Sequence, residues 1–256
     1  MSKFSSTLFI LLPAYNEEKA LGELIPAIGR TMNPTGINYK ICIVDDGSSD
    51  KTKALVSSFT DKFPLVYLSH QRNQGYGAAL QTGFSWIMKN ATPNDIALSL
   101  DADNTHLPIY IPHLIDKVES GYDVVTASYS MKGGRALGVP LKRHLASFFA
   151  NVLFNLSFHV PGTHSFTNGF RAYRVRILQD AYQKYGDRLI EDTGFPGGLE
   201  LFLKACRANT KTGEIPFTLH YQNRGSESKM NFLQTVCRYL QLIYRWKKAA
   251  QPTNDR

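Results

Sequence analysis

Asp101-Ala102-Asp103 sets two carboxylates one residue apart, directly after the apolar run at 95–100. Carboxylates at a strand end can share a hard divalent cation with a substrate diphosphate. Mg2+ keeps one or two protein carboxylates and fills its shell with phosphate oxygens and water. Here the cation would be Mg2+ or Mn2+, and it would offset charge building on a departing diphosphate. D-x-D triplets also occur in caps and turns, so the position after a buried strand carries the weight. Asp45-Asp46-Gly47-Ser48 closes a second apolar run. Asp46 could accept hydrogen bonds from the base or ribose of a nucleotide, while Ser48, Ser49 and Asp50 read as a polar turn and helix cap. Pro13-Ala14-Tyr15-Asn16-Glu17 follows a third run. Tyr15 could stack on a base, and backbone N–H groups at the following helix start could face an anion. A plain helix start capped by Asn16 reads the same way.

The elements that must hold these residues alternate. Short β-rich runs at 7–12, 39–44, 65–69, 95–100 and 123–128 read as strands. Helical patterns at 17–31, about 50–63, 76–89 and 108–120 separate them. This order predicts an α/β fold: a mostly parallel sheet with helices on both faces. In such folds the strand C-termini share one edge, where ligands bind. The three acidic or aromatic turns above all follow strand ends, so they should meet in one cleft. The second half is less regular. It shows an apolar helix at 141–158, a motif at 167–174, a helix at 197–206 and a strand at 213–219. A long amphipathic helix at 232–248 ends in Arg245, Trp246, Lys247 and Lys248.

Of 256 residues, 43% are hydrophobic and 20% charged, which suits a globular chain with a sizeable core. The net charge of +8 favours anionic partners or serves solubility alone. Basic residues are scattered rather than striped and no nucleic-acid motif appears, so nucleic acid is not an expected partner. Cys42, Cys206 and Cys237 are far apart and form no metal or disulfide spacing, which fits a reducing compartment. No leader and no spanning segment of about 20 apolar residues is visible. The expected location is cytoplasmic.

In order and spacing, LPAYNEE, VDDGSSDKT, RNQGYGAAL, LDADNTHLP, TNGFRAYR and IPFTLHYQNRGSESK together resemble the GT-A glycosyltransferases of family 2. Within that family the chain is most similar to polyprenyl-phosphate (dolichyl-phosphate) mannosyl- and glucosyltransferases. The resemblance covers almost the whole chain. It implies a GT-A catalytic domain over 1–229, with a nucleotide-sugar half to about 130 and an acceptor half beyond it, then an amphipathic helix and tail over 230–256. It implies a donor site of Pro13, Ala14, Tyr15, Asn16, Glu17, Asp46, Gly75, Asp101, Ala102, Asp103, Arg143 and Arg171. Asp101 and Asp103 would hold the metal; Asp103, Arg224 and Lys229 would act on the reacting groups. Arg171 reads equally as a structural residue. Three positions depart from the family pattern. Thr105 stands where Gln is usual, Ala127-Ser128-Tyr129-Ser130 lacks an arginine, and Arg224 is displaced relative to the Gly-x-Ser-Lys segment.

The implied reaction is inverting transfer of a hexose from a donor of the GDP-mannose or UDP-glucose type. A phosphate acceptor is largely dianionic at neutral pH and needs cations rather than a base. A hydroxyl acceptor on a saccharide or lipid-linked glycan would need a carboxylate base. Asp192 and Glu200 are the candidates, with Glu191 beside them; Glu200 could instead pair with Lys204 at i+4. A non-catalytic nucleotide-binding protein is the reading from another class. Leu141, Leu145, Phe148, Phe149, Val152, Leu153 and Leu156, and the 232–248 helix, could lie at a bilayer surface. They could equally be core or dimer helices. The expected partners are thus a nucleotide-sugar donor, a polyprenyl phosphate or other lipid-linked acceptor, and a cytoplasmic membrane face, touched directly or through a membrane subunit.

Overall fold

The computed structural model describes residues 6–206, 209–224 and 232–250. Its strands are β1 (Leu8–Ala14), β2 (Tyr39–Asp45), β3 (Leu65–Ser69), β4 (Ile96–Ser99), β5 (Val124–Ser128), β6 (Arg135–Leu137), β7 (Arg171–Arg174), β8 (Thr212–Pro216) and β9 (Thr218–His220). Its helices are α1 (Glu18–Met32), α2 (Thr52–Ser57), α3 (Tyr76–Asn90), α4 (Ile111–Glu119), α5 (Leu141–Phe158), α6 (Val175–Tyr185), α7 (Pro196–Ala205) and α8 (Phe232–Ala250). Seven strands make one sheet in the order β3-β2-β1-β4-β7-β5-β8. Only β7 runs against its neighbours β4 and β5. A mostly parallel sheet was expected and is found.

The central strands are buried on both faces, which is why they read as continuous apolar runs. Leu8, Ile10 and Leu12 join the core beneath α1, α2 and α4. Phe9 and Leu11 join the opposite core with residues of α3, α5, α6, α7 and α8. A strand period of two divides one sequence between two cores.

Register builds the site. Ala14 pairs with Asp45, Asp45 with Ser69, and Leu11 with Ser99. The residues after β1, β2 and β4 therefore emerge along one edge. β7 reaches that edge with its N-terminus, because Ser99 pairs with Arg171. β6 and β9 form a separate parallel ribbon, Leu137 opposite His220. A bridge between His106 and Leu219, and a bond from His220 N–H to the Thr105 carbonyl at 3.0 Å, dock the ribbon on the Asp101–Asp103 loop.

Several elements differ from expectation. The helix expected to reach about 63 stops at Ser57. The hydroxyls of Ser57, Ser58 and Thr60 bond back to the carbonyls of Lys53, Leu55 and Ser57 and give the backbone another partner. The strand expected over 213–219 is two, because Pro216 has no N–H for a continuing ladder and Phe217 turns into the core, 1% exposed. β7 and α6 were not foreseen. β7 is four residues long, and α6 buries only Val175, Leu178 and Ala181 among polar residues.

Candidate active site

The loop after β1 is fastened to the loop after β2. Asn16 N–H donates to the Ser48 hydroxyl at 2.8 Å, and Asn16 Oδ1 accepts from Ser49 N–H at 2.8 Å. Asn16 has φ 52 and bonds across loops, so it is not the cap of α1. Thr52 and Asp50 take that part, accepting from the N–H groups of Glu17 at 3.0 Å and Glu18 at 3.2 Å. Tyr15 and Glu17 stay half-buried at this edge, beside Pro13. Ala14 and Ala102 turn their side chains into the core, so only their backbones can face a ligand.

Asp46 is 3% exposed. Its Oδ1 accepts from Gln74 N–H at 2.8 Å and bonds His70 Nδ1 at 2.6 Å; its Oδ2 accepts from Gly75 N–H at 2.7 Å. In this structure it is turned inward, shaping the start of α3 rather than presenting an acceptor to a base or ribose. Gly75 has φ +102, and a Cβ there would strike the Thr193 carbonyl at 2.3 Å. Both facts require glycine.

Asp101 lies at the floor of the cleft with 35% of its side chain exposed. The Tyr76 hydroxyl donates to Asp101 Oδ1 at 3.2 Å, and the Tyr76 ring stacks on Phe195 at 5.3 Å. Burial, then the Asp101 charge, hold the Tyr76 phenol well above its usual pKa, so it remains a donor. Burial also raises the Asp101 pKa, and the Asp103 charge adds to this against the pull of His106, Tyr76 and Arg224. Asp103 Oδ1 accepts from the Thr105 hydroxyl at 2.6 Å; its Oδ2 faces Arg224 Nε at 3.5 Å.

Two buried polar atoms point at these carboxylates without a hydrogen-bond partner among the described residues. They are Arg224 Nε and His106 Nδ1, the latter 3.8 Å from Asp101 Oδ2. Such orphans are costly unless a ligand completes them. Among the described residues no group of three or more His, Cys, Asp or Glu forms a closed metal site. Two carboxylates with oxygen donors only, beside unsatisfied cationic and imidazole groups, fit a hard divalent cation shared with a bound diphosphate.

Arg143, in the first turn of α5, donates through NH1 to the Tyr221 hydroxyl at 3.2 Å. Its guanidinium lies 5.0 Å from the Tyr221 ring centre, and that of Arg224 lies 5.8 Å from the same ring. Nothing in the sequence singled out Tyr221, Tyr76 or His106. Tyr221 and Tyr76 matter through partners remote in the chain, Arg143 and Asp101.

Other candidates are placed elsewhere. Arg171 is 1% exposed. It donates to the Thr126 hydroxyl and the Ser165 and Phe166 carbonyls and lies 4.2 Å from the Phe202 ring centre. It is a structural cation and cannot contact a donor. Glu200 is 1% exposed, pairs with Lys204 at 2.8 Å and accepts from Glu191 and Asp192 N–H at 2.8 Å. It cannot serve as a base. Asp192 pairs with Arg238 at 3.1 Å and accepts from Gly194 N–H at 2.8 Å. Glu191 meets Lys204 at 3.0 Å. Burial would raise its pKa, but Lys204 and Arg188 outweigh that and hold it below the usual carboxylate range. Lys229 lies outside the described residues.

A mostly parallel sheet whose edge gathers two carboxylates, backbone donors and arginines is a GT-A arrangement. The chain belongs to glycosyl transferase family 2, whose model matches residues 9–181. It is 30% identical over 240 residues to the dolichol-phosphate mannosyltransferase of Pyrococcus furiosus, covering 93% of this chain and 63% of that protein. The chain thus spans under two thirds of that relative's length. It is also 30% identical over 224 residues to the polyprenol monophosphomannose synthase of Mycolicibacterium smegmatis, covering 87% of this chain and 80% of that one. Among solved structures, glucosyl-3-phosphoglycerate synthase from Mycobacterium tuberculosis, in complex with Mn2+, UDP-glucose and phosphoglyceric acid, matches with TM-score 0.66 and 18% identity. The match covers 99% of this chain and 83% of that one. S. aureus TarS 1–349 matches with TM-score 0.59 and 17% identity, over 93% and 64% of the two chains.

Proposed function

We propose that the chain transfers a hexose, with inversion, from a nucleotide diphosphate sugar to a polyprenyl phosphate at the cytoplasmic face of a membrane. The donor is of the GDP-mannose or UDP-glucose type, and the names of the curated relatives favour mannose and a polyprenyl phosphate. One observation carries the choice of acceptor. Two arginines converge on the Tyr221 ring and one of them, Arg224, faces Asp103, whereas Glu191, Asp192 and Glu200 are each engaged in an ion pair. A phosphate acceptor needs cations to bring it against an anionic donor. A hydroxyl acceptor needs an unoccupied base.

The chain's own residues divide the work. The loops after β1 and β2 take the nucleoside, with Tyr15 as the stacking side chain. Asp101 and Asp103 hold a divalent cation that, when bound, offsets charge on the leaving diphosphate. Tyr76 fixes the Asp101 carboxylate, and Thr105 fixes that of Asp103. Arg143 and Arg224 orient the acceptor phosphate. One of its oxygens forms the new bond to the anomeric carbon; the bond to the nucleoside diphosphate breaks, and its electron pair leaves with that group. Holding two anions in line is the main contribution.

Transfer assays test this. The chain is incubated with GDP-mannose or UDP-glucose, with a polyprenyl phosphate or the matching polyprenol, and with Mg2+, Mn2+ or a chelator. The expected product forms only with the phosphate and only with metal. Product from the polyprenol, or no nucleotide-sugar binding under any condition, overturns the proposal.

A further inference from the structure

Two arginines 81 positions apart meet because of the small β6–β9 ribbon. The strands are parallel, so both run out at the same end, Leu137 beside His220. β6 continues through 138–140 into α5, whose first turn carries Arg143. β9 continues at once into the 3-10 turn Tyr221–Asn223, closed by Arg224 N–H donating to the Tyr221 carbonyl at 3.2 Å. Gly138, at φ +73, presses against Gln222 in that turn; a Cβ there would stand 3.0 Å from Gln222 Oε1 and 3.1 Å from its Cβ and N. The Tyr221 ring is thereby brought against both cations, 5.0 Å from the Arg143 guanidinium and 5.8 Å from that of Arg224.

Two guanidinium groups gathered at one ring repel one another. A ring attracts both through the negative potential of its π faces. The Tyr221 hydroxyl also accepts from Arg143 NH1 at 3.2 Å. Arg224 also faces Asp103, its Nε 3.5 Å from Oδ2 and without a hydrogen-bond partner among the described residues. The ring thus contacts both cations, and Arg224 faces Asp103 as well.

We propose that Tyr221 is the positioning residue that spaces Arg143 and Arg224 to grip a phosphate monoester acceptor. It touches neither the reacting atoms nor the donor. The role rests on the acceptor reading above. It also accounts for the displaced Arg224: the aromatic turn brings an arginine to the site from a shifted position in the chain.

The test compares wild type, Tyr221→Leu and Tyr221→Phe for transfer to a water-soluble short-chain polyprenyl phosphate, with thermal unfolding of each. Tyr221→Leu should raise the acceptor KM roughly 10-fold, leaving the donor KM and the melting temperature unchanged. Tyr221→Phe keeps the ring and loses one hydrogen bond, so its acceptor KM should rise only about threefold. If Tyr221→Leu does not fold, the Tyr221→Phe split between acceptor and donor KM decides. Absence of transfer by the wild type sinks the acceptor reading and this role with it. Transfer by the wild type with an unchanged acceptor KM in the variants, or equal changes in both KM values, sinks the Tyr221 role alone.

Discussion

A Cβ added at Gly169 would stand 2.7 Å from the Tyr76 hydroxyl and 3.5 Å from Asp101 Oδ1. Tyr76 cannot swing away freely, because its ring stacks on Phe195. Gly169→Ala should therefore break the bond that fixes Asp101. Hydrogen bonds to charged groups contribute about 1.5–3 kcal/mol, so kcat/KM for the donor should fall roughly 10- to 100-fold. Tyr76→Phe removes the same bond and frees the space. Since both changes act through one contact, the double variant should be no worse than either single one. Losses that multiply would show that Gly169 does not act through Tyr76. The same neighbourhood shows what one-dimensional reading can see. Asp101 and Asp103 were legible because a buried strand ends beside them and register fixes their edge. Tyr76 and Tyr221 were not, since each acts through a contact between distant segments. Arg171 was read as equally phosphate-binding or structural. It alternates along β7 on the same face as Tyr173, which packs into the α3–α7 core, and so it points inward.

At the scale of elements, the β6–β9 ribbon is the device that brings the start of α5 and the Tyr221 turn to the Asp101–Asp103 loop. Its weak point is Gly138. At φ +73 any other residue is strained by about 1–2 kcal/mol. Gly36 offers a control, with φ +67 and nothing within 4 Å of an added Cβ. Gly138→Ala and Gly36→Ala should lose comparable stability in denaturant titrations. Only Gly138→Ala should also raise the acceptor KM, because only there does the new methyl push on the turn that carries Tyr221 and Arg224. Equal kinetics for the two variants would mean that the turn tolerates displacement. The five parallel-type strands were readable from apolar runs and turn residues. The ribbon was not, because three-residue strands have too few positions to show a period of two. One of its strands was hidden inside the run expected at 213–219. The C-terminal helix was readable, but not its ion pair. Arg238 on α8 reaches Asp192 at 3.1 Å, a contact no motif shows.

On the scale of the whole molecule, α5 links the site to the outside. It starts with Arg143 at the Tyr221 turn and runs 18 residues, about 27 Å. Its inward face buries Phe154 and Phe158, while Leu141, Leu145, Phe148, Phe149, Val152, Leu153 and Leu156 form an exposed apolar stripe. α8 packs beside it, with Tyr239 and Trp246 against those two phenylalanines, and exposes Leu233, Val236, Leu240 and Tyr244. Lys142, Arg143, Arg245, Lys247 and Lys248 flank these residues, in a chain of net charge +8. Among the described residues no helix is long and apolar enough to cross a membrane. A helix lying in the bilayer interface uses just this combination, apolar on one side with basic residues around it. A polyprenyl phosphate holds its phosphate at the lipid surface, so a helix lying there with Arg143 at one end would receive the head group where the cations wait. Vesicle co-sedimentation tests this at molecular scale. The chain should bind vesicles containing anionic lipid more tightly than neutral ones, and less tightly as salt rises, each basic residue contributing about 1 kcal/mol. Phe149→Ser with Leu156→Ser should weaken binding roughly 100-fold, from about 1.5 kcal/mol or more for each buried side chain. Transfer to a water-soluble short-chain acceptor should stay as in the wild type, since neither residue faces the cleft. A chain that ignores vesicles but forms a dimer which the same two substitutions dissociate would assign the stripe to a second copy instead.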